Sequence, residues 1–136
     1  MDYILNQANP KDFNLLLIQE PWLDHLGNSC GTPNWHIVYP PSINQYQQGP
    51  ICSIILVNTN ISTDNYTILD IPCNDITAVH FKGDFGHCSL INVYNDCTNN
   101  NTIYMLNNFL SSSVFALFHT SDFTLSHHPE PSSHTP

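Results

Sequence analysis

From residue 13 to residue 96 the chain is a succession of short apolar runs, each closed by proline, glycine, asparagine or aspartate. Runs of this length, rich in Ile, Val, Leu and aromatics, are strand-sized, and the turn residues between them leave no room for long helices. Strands are expected over 13–20, in "WHIVYPP" where two prolines stop the run, in "ICSIILVN", over 66–71, and in "ITAVHF" and "CSLINVYND". The last two are joined by "KGDFGH", a turn that makes them a hairpin. Residues 2–8 read as the end of a helix stopped by Pro10. The period changes at "NNNTIYMLNNFL", where Ile103, Leu106, Phe109 and Leu110 share a helical face and Asn100 or Asn101 can cap it. "VFALFHTSDF" returns to strand, and "SHHPEPSSHTP" has no apolar face and reads as a disordered tail. The order is that of an α+β fold, without the βαβ alternation of a doubly wound sheet.

A chain of 136 residues suits one domain with a real core. Its charge is one-sided. Lys11 and Lys82 are the only cations against eleven acids, a formal net charge of -9. Proteins that grip nucleic acid neutralise phosphates with Lys and Arg, so this composition works against a nucleic-acid surface. Cys30, Cys52, Cys73, Cys88 and Cys97 are odd in number and show no C-x-x-C spacing, which reads as free thiols in a reducing compartment. The N-terminus has no apolar signal region and no run reaches membrane-spanning length, so an intracellular chain without a membrane segment is expected. Sequons at Asn60, Asn65 and Asn100 are what a chain rich in Asn and Thr carries by chance.

The chemistry sits where apolar strands end. "LLLIQEPWLD" runs from four apolar residues into Gln19, Glu20 and Pro21. A carboxylate there is held at the rim of a sheet, where Mg²⁺ takes one carboxylate and fills its other positions with water and substrate phosphate. Alone, such a Glu is most often simply solvated. "INVYND" repeats the pattern with Asn92, Tyr94, Asn95 and Asp96, and Asp122 follows the last apolar run. His127 and His128 are adjacent and lack a spaced third ligand, so a transition-metal site in the tail is not expected. Trp22 and Trp35 are expected to pack near the sheet rim.

These blocks, in this order, resemble a known family. "LLIQEPWLD", "W..VYP", "SIILVN..IST", "DITAV", "INVYND" and "SDFTLSHHP" are similar to the endonuclease/exonuclease/phosphatase domain of fungal non-LTR retrotransposons, a DNase I-like metal-dependent phosphodiesterase. The resemblance covers roughly residues 2–129. It implies a partial DNase I-like α/β sandwich over 1–126, two packed, mainly antiparallel sheets between outer helices, with 127–136 as the tail. It implies Glu20 as a metal ligand for Mg²⁺ or Mn²⁺, Tyr94 as the residue lining the cleft against the scissile phosphate, and Asp122 as the group that orients or deprotonates the attacking water. The implied partner is DNA and the implied reaction is phosphodiester hydrolysis.

Four departures from the family pattern imply a fragment with impaired or lost activity. Thr124 stands where the family has Asn, and Ser121 where it has Gly. The family's first strand with its site Asn has no counterpart. Its terminal Ser-Asp-His block has none either, and His127, His128 and His134 do not replace the catalytic His. The Arg before the "ILVN" strand is also missing. Losing a general base and a phosphate-stabilising group together removes several orders of magnitude of rate. A truncated sandwich would also expose sheet edges and one inner face. The alternative is a non-enzymatic module, an acidic interaction domain or a small secreted glycoprotein.

Overall fold

The computed structural model describes residues 7–23, 32–40, 50–95, 100–113 and 115. Among the described residues, two three-stranded antiparallel sheets and one α-helix of ten residues give an α+β structure. The first sheet has the order β1-β3-β2, with β1 Leu15–Gln19, β2 Trp35–Val38 and β3 Ser53–Asn58. The second has the order β4-β5-β6, with β4 Tyr66–Leu69, β5 Ile76–Gly83 and β6 Gly86–Val93. The helix, α1, is Asn101–Leu110. No helix among the described residues is long and apolar enough to cross a membrane.

Burial explains the reading of each run. The central strand β3 is buried at all six positions because one face looks into the inter-sheet space and the other onto an outer cluster. That is why "SIILVN" is continuously apolar rather than alternating. Its inward residues Ile55 and Val57 meet Val79 and Phe81 of β5. Its outward residues Ile54 and Leu56 pack with Trp35 and Ile51, against Leu16, Ile18, Leu23 and Ala8. On the outer face of the second sheet, Leu69, Ile71, Cys73, Ile76 and Ala78 take Phe109 of α1, with Met105 and Leu106 beside it. The apolar layers are therefore one shared core and two outer ones.

The β5–β6 hairpin forms where expected. Gly83 faces Gly86, Asp84 and Phe85 form the tip, and Gly86 takes φ 107°. A positive φ at that place follows a type I turn closing a hairpin, and glycine adopts it without a Cβ clash.

Several expectations need correction. The buried stripe of α1 is Thr102, Met105, Leu106 and Phe109, while Ile103 and Leu110 are 50% and 42% exposed. The Thr102 hydroxyl donates to Asp75 Oδ2 at 2.8 Å, on the same helical face that packs Met105, Leu106 and Phe109 against the sheet. Asn100 is the N-cap residue, but its side chain makes no capping bond. Phe115, the one described residue of the expected strand "VFALFHTSDF", is helical and packs edge-on against Phe109. Trp35 is buried as expected, but Trp22 is 58% exposed. The leading helix lies outside the described residues except for Gln7 and Ala8, and the tail lies wholly outside them. Leu17 and Ile68 point toward the inter-sheet space yet are 43% and 46% exposed, both being on edge strands.

Cys52, Cys73 and Cys88 are free thiols. Burial pushes the Cys73 thiol up, and the neighbouring Asp75 charge adds to this while hydrogen bonds partly oppose it. Burial raises the Tyr66 phenol as well. A raised folded-state pKa means stability that is complete below the unfolded value and lost as pH rises through the folded one. The urea midpoint is therefore expected to fall above about pH 8.5, where an unperturbed thiol ionises. Measured across that range, Cys73→Ala should show a flatter decline than the parent chain.

Candidate active-site rim

At the end of the sandwich where β1 and β6 finish, the inter-sheet space becomes polar. Inward positions that carry Leu15, Val57, Val79 and Leu90 at one end carry Gln19, Ser53, Thr77 and Asn92 at the other. Antiparallel register forces this grouping, because Gln19 faces Ser53 and Thr77 faces Asn92.

Asn92 is at the centre. It is 4% exposed, and its side-chain amide donates across the sheets to Ile18 O at 3.1 Å and Ile54 O at 2.9 Å. Its own carbonyl accepts from Ser53 Oγ at 2.9 Å, and Ser53 O accepts from Thr77 Oγ1 at 2.7 Å. Gln19 Nε2 donates to Val93 O at 2.7 Å, and Cys52 N donates to Asn74 O at 3.0 Å. Every one of these bonds joins one sheet to the other or to its flanking turn. A buried polar group is tolerated only when bonded, so the two sheets hold one register and spacing here.

On this platform the structure brings together two residues that are 74 positions apart. Tyr94 Oη donates to Glu20 Oε1 at 2.5 Å. That is within the range of hydroxyl-to-carboxylate bonds, about 2.5–2.7 Å. Tyr94 is fixed by its backbone N–H, which donates to Asp75 O at 2.8 Å, and Glu20 by its N–H to Cys52 O at 2.9 Å. Glu20 Oε2 has no hydrogen-bond partner among the described residues.

The backbone at Glu20 is unusual. Its φ is 52°, the only positive value at a non-glycine among the described residues. A side chain in the left-handed region costs about 1–2 kcal/mol. The following Pro21 further narrows the conformations open to Glu20. Strain of this kind persists where the surroundings over-determine the geometry, as the bonds to Cys52 and Tyr94 do here. The outcome is that β1 stops at Gln19 and the carboxylate turns toward β6 instead of following the strand.

Glu20 and Tyr94 are thus brought together, while Asp122 and Asp96 lie outside the described residues. No group of three or more His, Cys, Asp or Glu side chains that could hold a metal is found among the described residues. One open carboxylate oxygen suits a hard cation that keeps most of its water, and does not suit a closed zinc site. Lys82 lies near the other end of β5, so it adds no positive charge beside Glu20. Ser53 and Thr77 were legible only as small polar residues at inward positions of otherwise apolar strands, a signal that sequence reading passed over.

Comparison with protein-family models, curated proteins and solved structures finds no match to the chain.

Two variants separate these roles. Asn92→Ala should lower unfolding free energy by about 1–3 kcal/mol through lost buried bonds. Asn92→Asp should cost more, because it sets an acceptor-only group against two carbonyl oxygens; urea titration measures both. Glu20→Gly and Glu20→Ala both remove the carboxylate, but only Ala keeps the backbone strain. Glu20→Gly is therefore expected to be the more stable by about 1 kcal/mol.

Proposed function

We propose that this chain carries a metal-dependent phosphodiesterase domain of the DNase I-like endonuclease class, related to those of fungal non-LTR retrotransposons, and that its hydrolytic activity is strongly impaired or lost. The observation that carries this reading is the Tyr94–Glu20 hydrogen bond. Sequence blocks selected Glu20 as a ligand and Tyr94 as a cleft residue, and the two side chains share one rim.

The geometry is compatible with the following division of labour. Tyr94 occupies Oε1 of Glu20 and so orients the carboxylate, leaving Oε2 for a cation. Mg²⁺ or Mn²⁺ held there would offset the charge that develops on a phosphodiester during hydrolysis. The seam of Asn92, Ser53 and Thr77 sets the spacing between the Glu20 and Tyr94 strands. Asp122 is assigned the attacking water by resemblance alone. Thr124 in place of Asn removes an amide that would steady the phosphorane, and a hydroxyl does not reproduce its reach. With a formal net charge of -9, electrostatic attraction of DNA is weak, which also favours low activity.

Thermal unfolding with and without Mg²⁺ or Mn²⁺ tests the reading. A ligand that binds only the folded state at ten times its Kd stabilises by about 1.4 kcal/mol. The expected result is a rise in Tm of a few degrees that vanishes in Glu20→Gln, with little or no metal-dependent nicking of supercoiled plasmid. An unchanged Tm, or the same rise in Glu20→Gln, would remove Glu20 as a ligand. Nicking that persists in that variant would be contamination.

A further inference from the structure

The other end of the inter-sheet space opens into a cavity of about 600 Å³. It lies five strand positions from Glu20 along β1, about 17 Å. Its floor is the end of the shared core, formed by Leu15, Ile61 and Phe81. Asn14, Asn60 and Asn65 also line it. The backbone N–H groups of Asn60 and Asn65 are taken up in turns, by Asn58 Oδ1 and Ser62 O. None of the three side-chain amides is committed to a hydrogen bond with another described residue.

The hairpin tip contributes an aromatic ring. Phe85 is 73% exposed, the most exposed large hydrophobic side chain among the described residues. It is placed by Gly83: a Cβ on residue 83 would come within 2.7 Å of Phe85 Cε1, so only glycine lets the ring lie against the strand. Lys82 and Asp84 also border the cavity, and their charges offset one another.

A cavity between about 300 and 1,000 Å³, mostly apolar with a few polar groups, has the form of a small-molecule site. Here the apolar part includes Phe81 and Phe85, and beside the Lys82–Asp84 pair the polar part carries the amides of Asn14, Asn60 and Asn65. Amides offer a donor and an acceptor side by side, which pairs with a ring edge carrying both. The balance of Lys82 and Asp84, in a chain of negative net charge, gives no preference for an anion. We propose that this cavity binds a planar, uncharged heteroaromatic molecule of nucleoside size, its ring against Phe85 and its edge toward the asparagine amides. This site is independent of the Glu20–Tyr94 rim, so the failure of either leaves the other standing.

Adenosine titrated into the ¹⁵N-labelled chain tests this by amide chemical shifts. The expected result is a saturable response centred on Asn60, Ile61, Phe85 and Cys88, with a Kd below about 1 mM. Phe85→Ala should weaken it at least about fivefold, the lower end of what one base–aromatic stack contributes. Because Phe85 is exposed, that variant should keep the parent spectrum elsewhere. Adenosine monophosphate should bind no tighter, and indole, with one donor and no acceptor, should bind more weakly. The proposal is overturned by shifts that do not saturate or centre elsewhere, or by unchanged affinity in Phe85→Ala. It is also overturned by tighter binding of the phosphate, which would mark an anion site, or by equal binding of indole, which would leave the amides without a role.

Discussion

The amide of Asn92 carries the most consequential constraint in this protein. It sits on one sheet, is almost fully buried, and bonds two carbonyls of the other. Apolar contact between sheets is non-directional and would tolerate sliding. A buried amide with two fixed acceptors does not, because a shift along the strands strands its donors without water. The relative register of β1 and β6 follows from it, and with that register the meeting of Glu20 and Tyr94.

The rim is consequently a place where stability is given up for geometry. Glu20 takes a left-handed backbone ahead of a proline, and its side chain turns across to the second sheet. Nothing in the packing of β1 needs this, since the strand's apolar residues are already placed by Leu16 and Ile18 on the outer cluster. A glycine at that position would be easier to fold.

Along the strands the inter-sheet space changes character. At the rim it is a hydrogen-bonded polar seam, and in the middle it is a dry apolar core around Ile55, Val57 and Val79. At the far end it opens into a cavity edged by amides and an exposed ring. The two sheets thus present the Glu20–Tyr94 pair at one end and an open cavity at the other, with a dry apolar core between them.

Much of the strand pattern was legible in the sequence by itself. Strands in "SIILVN" and "ITAVHF", the turn at "KGDFGH" and the helix over "NTIYMLNNFL" follow from residue periodicity and turn chemistry, which are local. Glu20 was legible as a candidate because it ends an apolar run, and Tyr94 because its block resembles that of a known family. Their contact was not, because it depends on two strands 74 residues apart being brought side by side. The exposure of Ile103 and Leu110 was not legible because the docked face of the helix depends on contacts with a distant sheet, among them Thr102 to Asp75 and Phe109 in the Ile71–Ile76 cluster, which periodicity alone does not record. Local sequence determined which segments are strands and which residues end them. Tertiary structure alone decided which ends meet, because pairing, register and buried hydrogen bonds are properties of distant segments packed together.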